Sequence, residues 1–134
     1  MANLVTLFSA LADRTRLRLL NLLRGNEVCV CYFVTILGET QPKISRHLAY
    51  LRRAGIVNAR RDGKWIHYSI AEPVDAILAS TLAALEHDRQ MQRDRAMLER
   101  ACCAVKLPAA LQNAPRPVAR ASGPPSRRLP AGDR

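Results

Sequence analysis

The sequence predicts a mainly α-helical domain with one small β-hairpin, and three observations support that prediction. Apolar residues recur at helical spacing up to residue 55, follow a strand pattern on either side of Asp62 and Gly63, and return to helical spacing after Pro73. The chain has 134 residues and an apolar fraction of 49%, which suits one domain with a modest core.

The first two helices are marked by periodic apolar residues and by a capping residue. Residues 4–11 carry apolar side chains at helical spacing, at Leu4, Leu7, Phe8 and Leu11. Asp13 can accept a hydrogen bond at the start of a second helix, whose apolar stripe ends near Gly25. The chain is therefore expected to begin with two amphipathic helices.

The next two segments lie on either side of a glycine. Residues 28–37 form a short apolar run that suits either a buried strand or a helix, and its context favours the helix. Gly38 ends this segment, and Thr40 is a plausible N-cap for a helix over residues 41–54, with Pro42 in its first turn. We therefore expect a helix, a short turn and a second helix.

A hairpin and a long final helix complete the predicted domain. The two strands meet at a tight Asp62-Gly63 turn, and Pro73 can open the last helix. The apolar positions of that helix continue to Met97 and Leu98, which is more apolar surface than a domain of this size needs internally. We expect a dimer formed through the terminal helices.

The composition changes after residue 107. Residues 108–134 are rich in Pro, Ala, Arg, Ser and Gly and lack apolar periodicity, so we expect a basic, disordered tail after a domain over residues 1–107. The start of the chain lacks a secretory signal pattern, and no apolar stretch could span a bilayer. We expect a cytoplasmic protein with no membrane partner.

The positive charge is concentrated in one part of the predicted fold. The net charge is +10, and residues 43–64 hold seven basic residues against one acidic residue. A helix, a turn, a second helix and a basic hairpin follow the order of a winged helix-turn-helix, whose second helix enters the major groove of DNA. Double-stranded DNA is therefore the expected partner. The candidate contacts are Gln41, Lys43, Ser45, Arg46, His47, Arg60, Arg61 and Lys64.

The four cysteines form two close pairs, Cys29 with Cys31 and Cys102 with Cys103. In a reducing compartment, closely spaced thiols indicate metal or redox chemistry more than structural disulfides. No motif places a base and an orienting partner beside a cysteine nucleophile, so the sequence argues against an enzyme.

Five segments occur in a characteristic order along the chain. They are LADRTRLRLL (11–20), EVCVC (27–31), SRHL (45–48), LRRAGIV (51–57) and RDGKWIHY (61–68). Together they resemble the ArsR/SmtB family of metalloregulatory repressors, over about residues 4–98. The resemblance implies a homodimer that binds an imperfect inverted repeat in operator DNA and leaves it when an inducer binds. It also implies that His47, within the Ser-Arg-His-Leu segment, supports the DNA-binding helix.

The resemblance also implies the kind of inducer. Cys29-Val30-Cys31 is similar to the family's Cys-Val-Cys box, where arsenic and antimony sensors take thiolate ligands, and thiolates suit such soft centres. We therefore expect As(III) or Sb(III) as the inducer and no permanent cofactor. The Asp/His pairs that zinc or nickel sensors of the family carry on their last helix have no counterpart here.

The chain departs from the arsenical pattern after this box. Tyr32 stands where the family prototype has an acidic residue, and Val34 stands where it has a third thiol. Cys102 and Cys103 resemble the C-terminal cysteines of other arsenic-responsive members, and adjacent thiols suit a methylated or aryl As(III). A third sulfur could come from either end of the chain, or each pair could act alone, so all four cysteines are candidate ligands.

The spacing of Cys29 and Cys31 leads to an expectation about switching. Residues two apart on a regular helix point roughly 200° from each other, so both sulfurs could hold one ion only if the helix distorts. Such a distortion, one short turn before the 41–54 helix, would set ligand binding against DNA binding. The alternative is a repressor of the same fold that responds to thiol oxidation or to persulfides.

Overall fold

The computed structural model describes residues 3–103 and 107–119, and for Cys103 it describes the backbone alone. The helices are α1 (Leu4–Leu11), α2 (Arg14–Leu23), α3 (Val30–Leu37), α4 (Gln41–Arg53), α5 (Ala76–Leu85) and α6 (Arg89–Cys103). The strands are β1 (Asn26–Cys29), β2 (Val57–Asp62), β3 (Trp65–Ile70) and β4 (Val118–Ala119). They form one antiparallel sheet in the order β2-β3-β1-β4. Within the described ranges, no helix has the length and apolar character needed to cross a membrane.

The predicted helix ends are confirmed where a single residue determines them. The Asp13 carboxylate accepts a hydrogen bond from the Arg16 N–H at 3.0 Å, and the Thr40 hydroxyl accepts one from the Lys43 N–H at 3.4 Å. Gly38 ends α3 with φ of +68°, a left-handed conformation that glycine adopts without a Cβ clash. Helix α3 therefore gives way to α4 after a turn of three residues.

The segment over residues 28–37 contains both of the structures considered for it. Its first two residues end strand β1, and the rest forms α3. Strand β1 pairs with β3, with Val28 opposite Tyr68 and Cys29 opposite His67. The prediction of a helix is wrong for Val28 and Cys29, because a strand distant in sequence supplies their pairing partner.

The predicted long last helix is two helices. Helix α5 begins at Ala76, not at Pro73, because the Asp75 carboxylate caps it by accepting the Ile77 N–H at 2.8 Å. Leu82 on α5 and Leu98 on α6 are buried, so both helices bury apolar surface within the protomer. Among the described helices, the most exposed large apolar side chains are Leu4, Val5 and Phe8 on α1, while Met97 on α6 is 37% exposed.

Residues 107–119, here called the return segment, pack back onto the domain. Leu107, Leu111 and Ala114 are buried, and β4 pairs with the edge of β1. In this segment the structure differs from the disorder expected after residue 107, because isolated apolar residues and strand pairing hold it without any helical periodicity. Residues 120–134 of the predicted tail lie outside the described residues.

Candidate thiolate centre and nucleic-acid interface

The sulfurs of Cys29 and Cys31 meet where β1 ends and α3 begins. Cys29 is the N-cap of α3 and has an extended backbone, with φ of −73° and ψ of 146°. Because Cys29 lies outside the helix, its side chain points toward that of Cys31, and the two Sγ atoms are 3.2 Å apart. The expectation that the helix must distort to bring the sulfurs together is therefore wrong. The junction between strand and helix already does so.

The environment of this pair favours one thiolate. The hydrogen bond from Cys31 lowers the pKa of Cys29 to about 7, with help from backbone N–H groups at the start of α3 and against the effect of burial. The same hydrogen bond, together with burial and the Cys29 charge, raises the pKa of Cys31. In the reduced pair, Cys29 therefore ionises before Cys31.

Tyr32 follows Cys31 in the first turn of α3, and Cys102 lies in the last turn of α6. Tyr32 is fully buried, and its hydroxyl has no hydrogen-bond partner among the described residues. Burial raises the pKa of Tyr32, the Arg116 guanidinium lowers it, and the Cys31 and Cys102 thiols raise it. Cys102 is half-buried near the end of α6, which packs against α3.

The described residues bring together a pair of sulfurs and not a complete metal site. Within residues 3–103 and 107–119, no three His, Cys, Asp or Glu side chains are placed to hold a metal ion. The Cys103 side chain lies outside the described residues. Of the predicted four-cysteine ligand set, the structure brings together Cys29 and Cys31, and the roles of Cys102 and Cys103 stay predictions.

Helix α4 presents a polar face beside a buried apolar face. Ile44, Leu48 and Leu51 are buried, as the periodicity predicts. On the other face, Gln41 and Arg46 are exposed. Lys43 and Ser45 are partly exposed, and the Lys43 ammonium lies 3.0 Å from the Glu39 carboxylate. The start of α4 can therefore offer amide, hydroxyl and cationic groups to a nucleic acid.

His47 faces α2 more than solvent. Its Nδ1 lies 3.3 Å from the Arg16 guanidinium and 3.9 Å from the Asp13 carboxylate. Burial and the neighbouring cations lower the pKa of His47, and Asp13 opposes them. Arg16 also lies 4.3 Å from the centre of the Tyr50 ring. This geometry favours the role in which His47 supports α4 over direct contact with DNA.

The basic residues of the hairpin differ in their availability. Arg61 and Lys64 are exposed at its end, and Lys64 lies 5.0 Å from the Trp65 ring centre. Arg60 instead donates from Nε to both Glu27 carboxylate oxygens, at 3.0 and 3.1 Å. The contact of Arg60 with DNA stays a prediction, and in this conformation a carboxylate on β1 holds its guanidinium.

Sequence reasoning missed a set of arginines with structural roles. Arg18 makes a bidentate ion pair with the buried Asp94, in which Nε donates to Oδ2 at 2.7 Å. This ion pair connects α2 to α6. Arg14 at the start of α2 and Arg24, the residue after its end, pair with Asp88 and Glu86. The sequence shows only that these arginines lie in or directly after a helix with a leucine stripe. Their acidic partners are more than sixty residues away, so no local pattern predicts the ion pairs.

Comparison with known proteins identifies the family. The family described as bacterial regulatory protein, arsR family, matches residues 13–59. The Escherichia coli K12 arsenical resistance operon repressor is 46% identical over 79 residues, which is 58% of this chain and 68% of that protein. The chain belongs to the arsR family of bacterial regulatory proteins. This is a family of transcriptional regulators and not of enzymes.

Other relatives of this arsR-family protein differ in their described roles. The Pseudomonas putida arsenic resistance transcriptional regulator ArsR1 is 46% identical over 82 residues, covering 58% of this chain and 64% of that protein. The solved structure of HlyU from Vibrio cholerae superposes with a TM-score of 0.55 at 32% identity, covering 61% of this chain and 86% of that one. Vibrio cholerae HlyU is described as a transcriptional activator. The family match includes Cys29, Cys31 and α4, while Cys102 and the return segment lie beyond it.

Proposed function

We propose that the protein is a cytoplasmic, homodimeric transcription repressor that leaves its operator when a trivalent metalloid binds cysteine thiolates. The observation that carries this proposal is the 3.2 Å separation of the Cys29 and Cys31 sulfurs at the start of α3. Two sulfurs at that distance, one of them with a pKa lowered to about 7, suit a soft, thiophilic ion. As(III), Sb(III) and methylated As(III) are the proposed inducers, and two relatives named for arsenical or arsenic resistance support an arsenical.

The position of the pair connects it to both proposed DNA-binding elements. Cys29 belongs to β1, which pairs with hairpin strand β3 at His67. Cys31 belongs to α3, which ends at the turn leading into α4. An ion that changes the separation of the two sulfurs therefore acts on the hairpin and on α4 together. An allosteric coupling of about 1 to 3 kcal/mol would weaken operator binding roughly 5- to 150-fold.

The proposed DNA contacts follow from exposure and charge. Gln41, Ser45 and Arg46 can reach base edges from the start of α4, and Lys43 can reach a phosphate. Arg61 and Lys64 can contact the backbone from the hairpin. An imperfect inverted repeat is the operator expected for a homodimer.

Helix α1 is the proposed centre of the dimer interface. Leu4, Val5 and Phe8 are 56%, 77% and 55% exposed on this one helix. An apolar patch of this kind on a small domain is typical of a protein interface. The exposed patch supports the proposal of an interface formed through terminal helices.

Operator release tests the proposal directly. Reduced protein is bound to fluorescent DNA from upstream of its own gene, and arsenite, antimonite and methylarsenite are titrated separately while anisotropy is recorded. We expect Cys29→Ser and Cys31→Ser to bind the DNA as tightly as the wild type and to lose release by arsenite, because a serine oxygen is a poor ligand for a soft ion. Equal release of a variant lacking all four cysteines would contradict thiolate sensing.

A thiol-redox or persulfide response is the second candidate, and the same sulfur separation favours it. In the oxidative form, the two thiols lose two protons and two electrons to a peroxide, which is reduced, and an Sγ–Sγ bond forms. Release of the wild type by hydrogen peroxide alone, with no effect of any metalloid, would replace the leading proposal by this one.

A further inference from the structure

Arg16 lies in the first turn of α2, within the segment LADRTRLRLL (11–20), and its side chain is only 13% exposed. A guanidinium stays charged and carries five N–H donors, so burying it is costly unless partners accept those donors. The Asp13 carboxylate lies 4.0 Å from Nη1, which is beyond hydrogen-bond distance. The hydrogen bonds of Arg16 go to two other helices instead.

One set of contacts joins Arg16 to α1. Its Nε donates to the Ala10 carbonyl at 2.7 Å, and its Nη2 donates to the Ser9 carbonyl at 3.0 Å. Both carbonyls belong to the last turn of α1, where the carbonyls of a helix lack intrahelical partners and attract a cation. Arg16 therefore fixes α2 to the end of the helix that is the proposed centre of the dimer interface.

A second set of contacts joins the same guanidinium to α4. Nη1 lies 3.3 Å from Nδ1 of His47, and the guanidinium carbon lies 4.3 Å from the centre of the Tyr50 ring. His47 and Tyr50 are three residues apart, so they lie on one face of α4. Because arginine has no acceptor, Nδ1 must accept this hydrogen bond, which requires neutral His47 with its proton on Nε2. Burial and the neighbouring cations lower the pKa of His47 against the effect of Asp13, which favours this neutral form.

These contacts connect the proposed dimer helix to the proposed DNA-reading helix. Helix α2 packs against both α1 and α4, and the Arg16 side chain contacts both of them. The two half-sites of an inverted repeat have a fixed separation, so the distance between the two copies of α4 decides which operators a dimer accepts. That distance depends on how α4 is held relative to α1.

Resting on the proposed function, we infer that Arg16 is a positioning residue for operator recognition: its guanidinium fixes α4 relative to α1 and so sets the half-site separation that the dimer accepts. The planar guanidinium donates in several fixed directions at once, whereas a lysine ammonium is a single point charge on a flexible stem. Arg16→Lys therefore keeps the charge and loses the connection between the two helices.

The test compares operator spacings with the full-length, reduced, metal-free protein. The operator is located by footprinting DNA upstream of the protein's own gene. Anisotropy then gives the affinity for this DNA and for the same DNA with one base pair inserted at its centre, which turns one half-site by about 35° relative to the other. The wild type should lose base contacts of one α4, and one good contact corresponds to a loss of about 5- to 150-fold.

Arg16→Lys should bring the ratio of the two affinities toward 1, because α4 can then shift to follow the altered spacing. A merely structural role would lower both affinities equally and leave the ratio unchanged. His47→Leu should also lower the ratio, and His47→Asn should retain more of it because the Asn Oδ1 can still accept a hydrogen bond. Arg14→Lys is the matched control, since Arg14 also lies in the first turn of α2 but pairs with Asp88, and it should keep the wild-type ratio.

Several results would overturn this inference while leaving the proposed repressor function intact. They are a wild-type dimer that binds both spacings equally, an unchanged ratio in Arg16→Lys, or an equal fall of the ratio in Arg14→Lys. If Arg16→Lys fails to fold, an unchanged ratio in His47→Leu overturns the inference, because that variant keeps the contacts between Arg16 and α1. A wild type that does not bind the DNA, or that sediments as a monomer, would overturn both this inference and the proposed function.

Discussion

The adjacent hairpin arginines Arg60 and Arg61 should separate stability from DNA binding when each is replaced by alanine. Arg60 is tied to Glu27 through both carboxylate oxygens, and the two side chains are only 23% and 20% exposed. Arg61 is exposed at the end of the hairpin, with no ion pair or hydrogen bond among the described residues. Arg60→Ala should therefore weaken the fold, and Arg61→Ala should weaken the complex with DNA.

The expected magnitudes follow from these environments. A hydrogen bond to a charged group contributes about 1.5 to 3 kcal/mol, and partial exposure places the Arg60 pair near the lower end of that range. At about 4 to 8 °C per kcal/mol for a domain of this size, Arg60→Ala should lower Tm by roughly 6 to 12 °C. Arg61→Ala should remove one phosphate contact per protomer, so the slope of log K against log salt should fall by about 1.8 for a dimer.

Both quantities can be measured on the same samples. Thermal denaturation gives Tm, and anisotropy with labelled operator DNA over a series of salt concentrations gives the slope. Lys64→Ala serves as a second exposed control and should behave like Arg61→Ala. If Arg60→Ala lowers the salt slope as much as Arg61→Ala while Tm stays unchanged, the assignment of Arg60 to the sheet is refuted.

Three further perturbations test the thiolate pair, the core and the interface. In reduced, metal-free protein, thiolate ultraviolet absorbance should rise with pH through about 7, and Cys31→Ala should move that midpoint upward because it removes the hydrogen-bond donor to Cys29; a midpoint above 8 in the wild type would contradict this. Asp94→Ala should destabilise the fold by about 3 kcal/mol in urea titration, because it leaves the Arg18 guanidinium without its buried partner; an unchanged midpoint would show that the ion pair contributes little. Phe8→Glu should convert the dimer to a monomer in sedimentation with the helical circular dichroism retained, and a persistent dimer would place the interface elsewhere.

The parts of the fold that follow local rules could be predicted from the sequence. Asp13 and Thr40 cap helices because a short polar side chain can satisfy a free N–H three residues later. Gly38 ends α3 because the left-handed conformation suits glycine. The buried face of α4 follows from apolar spacing alone. In each case the residues that determine the feature lie within one or two turns of each other.

The parts that could not be predicted depend on partners distant in sequence. Cys29 is in a strand because β3 pairs with it, and no neighbouring residue reveals that pairing. Arg60 was assigned to DNA because its charge adjoins other basic residues, but Glu27, thirty-three positions earlier, binds it. The sequence predicts a disordered tail for the return segment because its average composition is polar and rich in proline. Single residues of this segment nevertheless contact the domain, since Leu111 is buried and Arg116 donates to the Cys102 carbonyl.

The placement of Cys29 in a strand changes the mechanism that the sequence alone implied. A pair of cysteines within one helix would switch by distorting that helix, and the energy of the switch would be local strain. The observed pair joins a strand to a helix, so under the proposed function a bound ion would bridge β1 and α3, and the energy of S–As bonding would act on their relative position. Cys29 is connected to the hairpin because β1 pairs with β3, and Cys31 is connected to α4 because it lies in α3, the preceding helix. Under that proposal, sensing depends on the separation of β1 and α3, and the return segment contacts both of them, through the pairing of β4 with β1 and the packing of residues 109–111 against α3.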